Sequence, residues 1–240
     1  MIPIRDTIRS YTHPFVTWAL IALNTVVFLF ERGLSPRFLD QVIFTFGMVP
    51  ARLNLTHPLD LTAHPQVLFT LMSSMFLHAG WLHLISNMWS LFIFGDNVED
   101  RLGHGRFLLF YVSSGVIANL LHALVYPGSP VPAVGASGAI AGVLGAYFLL
   151  FPRARIVTLI PIFFFAWFIE IPAVIFLGFW FISQLYSGVA ALVVQGANLG
   201  GVAWWAHVGG FLFGLFVARQ LPHRRKYEHD FPGPGGYPWQ

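Results

Sequence analysis

The sequence predicts an all-α, polytopic membrane protein with six transmembrane helices. Hydrophobic residues make up 56% of the 240 residues and charged residues only 10%, whereas soluble domains carry about 25% charged residues. Several apolar runs reach or approach the ~20 residues that cross a bilayer. The basic residues lie mostly at alternate ends of these runs. These observations exclude a soluble protein with an unusually apolar core.

Six apolar runs are predicted to span the membrane, at residues 15–31, 81–97, 106–126, 137–151, 167–189 and 201–219. Together they form one membrane domain, residues 15–220, after a short N-terminal segment at 1–14. The long first loop, residues 32–80, is amphipathic and is expected to lie partly in the membrane interface. The tail, residues 221–240, is polar and rich in Pro and Gly, which predicts disorder.

Basic residues predict that both termini are cytoplasmic. This orientation puts ten of the thirteen Lys and Arg residues on the cytoplasmic side, namely Arg5, Arg9, Arg101, Arg106, Arg153, Arg155, Arg219, Arg224, Arg225 and Lys226. The remaining three, Arg32, Arg37 and Arg52, lie in the long first loop, where the rule is weaker. The third loop, PGSPVPAVG, and the fifth loop, VVQGANLG, contain no charged residue, as expected for loops on the outer side.

The fourth run is too short to cross the whole bilayer. Its 15 residues span roughly 22 Å as a helix, against a hydrocarbon core ~30 Å thick. Ser137 at its start is therefore predicted to lie below the outer surface, after an irregular loop. Such backbone is stable at that depth only inside protein or beside a wet cavity. A serine there can also be a helix N-cap, which is the commoner role for an isolated serine.

Other polar side chains fall within the predicted spans. His207 lies in the sixth run, and His83 and Asn87 lie four residues apart on one face of the second. Polar residues in membrane helices usually face the bundle interior or a cavity, although each alone could be a structural hydrogen-bond partner. Together with Ser137 they are the groups that a serine hydrolase uses.

The residue types assign the chemistry. A neutral histidine can accept the serine proton and return it to a leaving amine. No Asp or Glu is predicted in the outward half of a span, and Glu170 lies near the cytoplasmic end of the fifth, so we expect a Ser137–His207 dyad without a carboxylate. The backbone N–H of Ser137, with His83 and Asn87, is expected to stabilise the oxyanion.

Small residues predict close approach of the fourth and sixth helices. The fourth carries two small-residue stripes, Ser137/Ala141/Gly145 and Gly138/Gly142/Ala146, and the sixth carries Gly210 and Gly214. Such faces allow backbones to approach closely in lipid. Each stripe alone is also explained by ordinary packing.

Three sequence blocks, in order, resemble the signature blocks of the rhomboid family of intramembrane serine proteases: HAGWLHLISN (78–87), GASG (135–138) and AHVGGFLFG (206–214). The segment GDNVEDRLGHGRFLLFYVSSG (95–115) is also similar to that family's second loop and third helix. The resemblance covers residues 15–220 and implies a six-helix rhomboid-like bundle.

The resemblance implies a serine endopeptidase that cleaves transmembrane segments of other proteins near their outer end, without cofactor or metal. Its partners would be transmembrane protein substrates and the lipid bilayer, with no nucleic acid. We expect a multi-pass protein of a prokaryotic inner membrane. The implied roles are nucleophile for Ser137, general base and acid for His207, oxyanion stabilisation for His83 and Asn87, and structural support near the site for His78, Gly135, Gly138, Gly210 and Gly214.

Two positions depart from the family pattern. The first loop reads PQVLFTLMSS where many members have a Trp–Arg pair, so another contact is expected to brace it. Ala141 stands where many members have an aromatic residue against the histidine, which leaves Trp204 or Trp205 to pack on His207. The aromatic-rich fifth helix could simply form a bulky lipid-facing wall, but in the family this helix borders the substrate route, so Phe176 and Trp180 are candidate gating residues.

Other functions fit the sequence less well. An inactive rhomboid-like protein that binds membrane clients would typically lack the serine or the histidine. A transporter or channel would have paired charges or broken helices. A lipase would have G-x-S-x-G after a strand, and Ala139 replaces its second glycine. A metalloprotease would have H-E-x-x-H.

Overall fold

The computed structural model describes residues 1–53, 65–162, 165–193 and 202–221. Within these ranges the chain is mostly helical, with one three-stranded antiparallel sheet. The elements are β1 (Ile2–Asp6), α1 (Phe15–Gly33), α2 (Pro36–Phe46), α3 (Pro50–Leu53), α4 (Pro65–Ser73), a 3₁₀ turn (Ser74–Phe76), α5 (Trp81–Leu102), α6 (His104–Val125), α7 (Ser137–Leu150), β2 (Arg155–Ile162), β3 (Phe165–Pro172), α8 (Ala173–Val193) and α9 (Trp204–Arg219). The predicted disordered tail lies outside the described residues, except for Leu221.

Three of the described helices, α1, α6 and α8, are long and apolar enough to cross a membrane. A fourth span results if residues Gln66–Phe76 and α5, which meet at a bend of 83°, are counted together. Helix α7 is apolar but shorter, at 14 residues. The chain is therefore an integral membrane protein by the length and composition of its helices.

Helix α7 lies at the centre of the bundle. Every residue from Gly138 to Tyr147 is buried, and the helix contacts α5, α6, α8 and α9. A helix that is apolar on all sides is stable when neighbours surround it completely. The element that begins with Ser137 is thus the one most enclosed by the others.

The fifth predicted span is wrong at its start, because residues 167–172 belong to strand β3 and not to a helix. Strands β2 and β3 form an antiparallel hairpin, and both are rich in the β-branched and aromatic residues that favour strands. Pro172 also disfavours helical backbone at the residue before it. Glu170 consequently lies on β3, with its carboxylate 3.9 Å from the Arg155 guanidinium.

The N-terminal strand is attached to the central helix. Strand β1 pairs with β2, and the carboxylate of Asp6 accepts hydrogen bonds from Tyr147 Oη at 2.5 Å and from Asn97 Nδ2 at 2.8 Å. Burial, with the nearby Asp96 carboxyl, raises the pKa of Asp6 to about 7. Since Tyr147 belongs to α7, the first strand is tied to the helix that carries Ser137.

Two buried carboxylates hold helix α1. The Glu99 oxygens accept the backbone N–H groups of Val16 at 2.9 Å and Thr17 at 2.7 Å, which satisfies donors that a helix start leaves free. Near the other end, Glu31 is 2% exposed and accepts the backbone N–H of His78 at 3.2 Å. Glu31 is the last residue of the first predicted span, and its carboxylate bonds this backbone group, whereas the His207 imidazole contacts Gln184 and Ser137.

Candidate active site

Ser137 and His207 lie within hydrogen-bond distance of each other. Ser137 is the first residue of α7 and His207 lies in the first turn of α9, and Ser137 Oγ is 2.8 Å from His207 Nε2. Ala136 occupies the N-cap position of α7, which has no side-chain cap. The N-cap interpretation of Ser137 is therefore wrong, because its hydroxyl contacts the imidazole.

Glycines account for the close approach of α7 and α9. A Cβ atom added at any of three glycines would overlap a main-chain carbonyl of the opposite helix: Gly210 against Gly138, Gly214 against Gly142, and Gly145 against Phe211. We call this contact the α7–α9 seam. It is formed by backbone on both sides, so residues with side chains at these glycines would push the helices apart.

Gly135, just before α7, meets two separate requirements. Its φ of +121° lies in the region that residues with a side chain rarely adopt. A Cβ there would also lie 2.6 Å from the His83 ring. Its N–H donates to the carbonyl of Ser74 at 2.9 Å. The loop can therefore pass directly against His83 only because position 135 is glycine.

Asn87 and His83, both on α5, have N–H donors for which the described part of the chain shows no acceptor. Asn87 is buried and its Nδ2 atom has no hydrogen-bond partner within the described residues. His83 Nδ1 accepts the Ala79 N–H at 3.4 Å, which leaves Nε2 as the N–H of the neutral ring. The His78 ring packs edge-on against His83, with centroids 5.1 Å apart, so it supports the position of that imidazole.

The four polar residues line one cavity of about 1010 Å³. Its wall also includes the irregular segment before α7, part of whose backbone is hydrogen-bonded to residues 48 and 51. Met48 and Ala133 exchange hydrogen bonds of 3.1 and 2.8 Å, and Ala51 N–H donates to Ser129 at 3.0 Å. The irregular backbone predicted before Ser137 is present, and it lines a cavity.

Two residues of α8, Gln184 and Trp180, contact His207; Gln184 was not predicted, and Trp180 was predicted only as a candidate gating residue. Gln184 Oε1 lies 2.7 Å from His207 Nδ1, and the Trp180 ring centroid is 5.9 Å from the imidazole centroid. Trp180 and Gln184 are four residues apart in the sequence, which places both side chains on one face of the helix; this spacing was the only local indication that they act together. Their partner lies on another helix, which no local pattern identifies.

Trp204 also contacts His207, with centroids 6.2 Å apart and rings perpendicular. Because Ala141 is not aromatic, Trp204 or Trp205 was expected to pack on His207. Trp204 is the one that does so, together with Trp180. Trp205 lies instead against Gly188 of α8.

His122 on α6 also lines the cavity. Its Nδ1 atom is buried without a hydrogen-bond partner among the residues that the structure describes.

The first loop is braced by Asn119, whose Nδ2 donates to Leu71 O at 2.9 Å and Ser74 Oγ at 3.0 Å. This amide is a contact that braces the loop in the absence of a Trp–Arg pair.

Comparison with known proteins identifies relatives. A family model described as the Rhomboid domain matches residues 65–224. Rhomboid protein 1, mitochondrial, of Saccharomyces cerevisiae is 27% identical over 90% of this chain and 57% of its own length. Presenilin-associated rhomboid-like protein A, mitochondrial, of Danio rerio is 29% identical over 90% of this chain and 54% of its own length.

A Bacillus subtilis protein provisionally named a rhomboid protease is 44% identical over 33% of this chain and 40% of its own length. The chain thus spans about half the length of these curated relatives. Mitochondrial and bacterial proteins both occur among them, so the expected prokaryotic inner membrane gains no support, whereas an integral membrane location does. With two thirds of its residues matched by the family model, the chain belongs to the rhomboid family.

Proposed function

We propose that this protein is an intramembrane serine endopeptidase that cleaves transmembrane segments of other membrane proteins. The observation that carries the proposal is the 2.8 Å contact between Ser137 Oγ and His207 Nε2. The two atoms face a cavity inside an apolar helical bundle. A hydroxyl and an imidazole in this arrangement form a nucleophile with its general base.

In the proposed reaction Ser137 Oγ attacks the scissile carbonyl while His207 Nε2 takes the hydroxyl proton. The tetrahedral intermediate collapses when the C–N bond breaks and the imidazolium returns that proton to the leaving amine. Water then attacks the resulting acyl ester while His207 takes its proton, and the imidazolium returns that proton to Ser137 Oγ as the ester C–O bond breaks and the acid product leaves. Serine, imidazole and water therefore account for every proton and bond in the cycle.

The oxyanion would be stabilised by three N–H donors. They are the backbone N–H of Ser137 at the start of α7, Asn87 Nδ2 and His83 Nε2. The unused Asn87 donor supports this role, because a buried amide without a partner is costly unless a ligand completes its hydrogen bonds. Removing one such donor typically costs ~3 kcal/mol of transition-state stabilisation.

We further propose six membrane crossings with both termini on the cytoplasmic side. Under this topology α5, α7 and α9 join α1, α6 and α8 as spans. Ser137, at the N-terminal end of a 14-residue helix, would then lie in the outward half of the membrane. Substrates would be cut near their outer end, and α8 would border their entry.

The experiment uses the purified protein in detergent, a fluorophosphonate probe and a fluorescent transmembrane substrate. We expect covalent labelling and cleavage by the wild type, and loss of both in Ser137→Ala and His207→Ala. Ser90→Ala is the matched control, because Ser90 lines the same cavity while its hydroxyl bonds the Ser86 carbonyl. It should be labelled like the wild type.

A wild-type protein that is folded, unlabelled and inactive on membrane substrates would contradict the proposal. If that protein still bound transmembrane peptides, the result would favour the alternative, a catalytically inactive rhomboid-like protein that binds membrane clients. The Ser137–His207 contact argues against this alternative, because a client-binding protein has no need of an aligned nucleophile and base.

A further inference from the structure

The imidazole of His207 has a second hydrogen bond, from a helix that contributes neither member of the Ser137–His207 pair. Gln184 Oε1 on α8 lies 2.7 Å from His207 Nδ1, and Gln184 is 7% exposed. A buried amide in an apolar membrane helix is costly and usually serves a specific contact. Packing alone would be better met by leucine at this position.

Neighbouring hydrogen bonds determine which way the amide faces. Ser183 Oγ lies 2.6 Å from the carbonyl of Trp180, which can only accept, so the hydroxyl proton points there. Ser183 Oγ is therefore available as the acceptor for Gln184 Nε2 at 3.1 Å. With its nitrogen directed to Ser183, the amide presents its oxygen to His207.

An amide oxygen only accepts, so the ring proton of neutral His207 must be on Nδ1. The lone pair is then on Nε2, the atom that faces the Ser137 hydroxyl. The other tautomer would place an N–H against that hydroxyl and would leave no base. We infer that Gln184 is a positioning residue that selects the productive tautomer and orientation of His207, an inference that rests on the proposed peptidase function.

This assignment makes the base dependent on helix α8. Gln184 is on α8, whereas Ser137 and His207 are on α7 and α9, whose approach is fixed by the glycine seam. If α8 moved away from α9, the seam would persist but the Nδ1 bond would break. The imidazole would then be free to turn or to change tautomer, so the dyad is complete only while α8 lies against α9.

The experiment compares Gln184→Leu, Gln184→Glu and Tyr186→Phe in one detergent, by labelling rate, kcat, KM and thermal unfolding. Leucine removes the acceptor, and we expect kcat and labelling to fall about 10-fold with KM nearly unchanged, the effect of losing one hydrogen bond. Glutamate keeps an oxygen acceptor and should restore most of the rate. Tyr186 is 75% exposed on the same helix, so its variant should match the wild type.

A second measurement needs no variant at position 184. The ¹⁵N spectrum of histidine-labelled wild type, with the His207 signal assigned by its absence from His207→Gln, should show a protonated Nδ1 and an unprotonated Nε2. The opposite tautomer would overturn the inference even if Gln184→Leu failed to fold. Two other results would also overturn the inference: a folded Gln184→Leu variant that reacts at the wild-type rate, or a Gln184→Glu variant that is as slow as Gln184→Leu although both are equally stable.

The two proposals fail in different ways. If the wild type is neither labelled nor active, the peptidase proposal fails before Gln184 is considered. If the wild type is active and Gln184→Leu is equally active, only the role of Gln184 fails.

Discussion

Tyr147 of the central helix donates a 2.5 Å hydrogen bond to Asp6 of the N-terminal strand, 141 residues away in the sequence. Asn97 donates to the same carboxylate oxygen. Through this contact the sheet is attached to α7, ten residues after the proposed nucleophile. The carboxyl is partly buried beside Asp96, and both features favour its protonated form.

Stability should therefore depend on pH through Asp6. Its folded-state pKa is raised to about 7 from 3.8, so the folded protein holds the proton more tightly than the unfolded chain. This contribution is present below about pH 4 and is lost as the pH rises through about 7. Because Asp6 is only partly buried, we expect a loss on the order of 2 kcal/mol, measured by chemical unfolding in detergent across that range.

The control for this prediction is a pair of neutral variants. Asp6→Asn should flatten the pH dependence between 4 and 7, because the uncharged amide has no proton to lose. Asp40→Asn, at an exposed position on α2, should leave it unchanged. An unaltered slope in Asp6→Asn would show that another group is responsible.

Asn87→Ala should lower turnover far more than stability. The variant removes a buried donor that has no protein partner among the described residues, so the folded state loses little. The proposed transition state loses an oxyanion contact, with an expected fall in kcat of about 100-fold. Kinetics and thermal unfolding on the same preparation test this.

Asn119→Ala provides the contrast, because Asn119 makes two hydrogen bonds that brace the first loop. Its loss should appear mainly as reduced stability. If Asn87→Ala lost turnover and stability in equal measure, Asn87 would be a structural residue.

Gly210→Ala should separate α7 from α9. The added methyl group would overlap the carbonyl of Gly138, and backbone cannot yield by changing rotamer. We expect destabilisation of about 1–3 kcal/mol, together with loss of fluorophosphonate labelling as Ser137 and His207 move apart.

Gly105→Ala is the matched control for this variant. Gly105 is also helical, but a Cβ there meets nothing within 4 Å, so stability should be unchanged or slightly higher. Full labelling of folded Gly210→Ala would contradict the role given to the seam.

Helix α8 should move when substrate is added. The chain contains no cysteine, so spin labels can be placed singly at Phe176→Cys or Trp180→Cys without a background. We expect both to report a change of mobility with a transmembrane substrate, measured by electron paramagnetic resonance. The control is a label at Leu109→Cys, which is exposed on α6 and should show no change of mobility. If neither α8 label changed mobility when substrate was added, the result would argue against gating by α8.

Sequence reasoning was most accurate where local chemistry determines structure. The start of α7 at Ser137 follows from a Pro- and Gly-rich loop before an apolar run, and it was predicted to the residue. The predicted start of the fifth span was wrong, because residues 167–172 belong to strand β3. Hydropathy does not distinguish a strand from a helix there; the β-branched residues and Pro172 were the better guide.

Gln184 illustrates a second kind of limit. Its helix could be predicted from composition, but its partner lies on the next helix, and the direction of its amide depends on Ser183 and Trp180. Such a relationship arises only when the helices are packed together. The small-residue stripes were more informative than Gln184. Small residues on two helices indicate that the helices pack closely, and this prediction does not require the exact contacting atoms to be known.

The seam between α7 and α9 also bears on how this protein could adapt to different membranes. Main-chain atoms in contact have no rotamers to exchange, so warming or a change of lipid gives the spacing of Ser137 and His207 little freedom to vary. Adaptation to temperature or bilayer thickness would accordingly fall on the lipid-facing helices, above all α8. A comparison of rates across lipids of different chain length would then report the mobility of that helix rather than the geometry of the reacting pair.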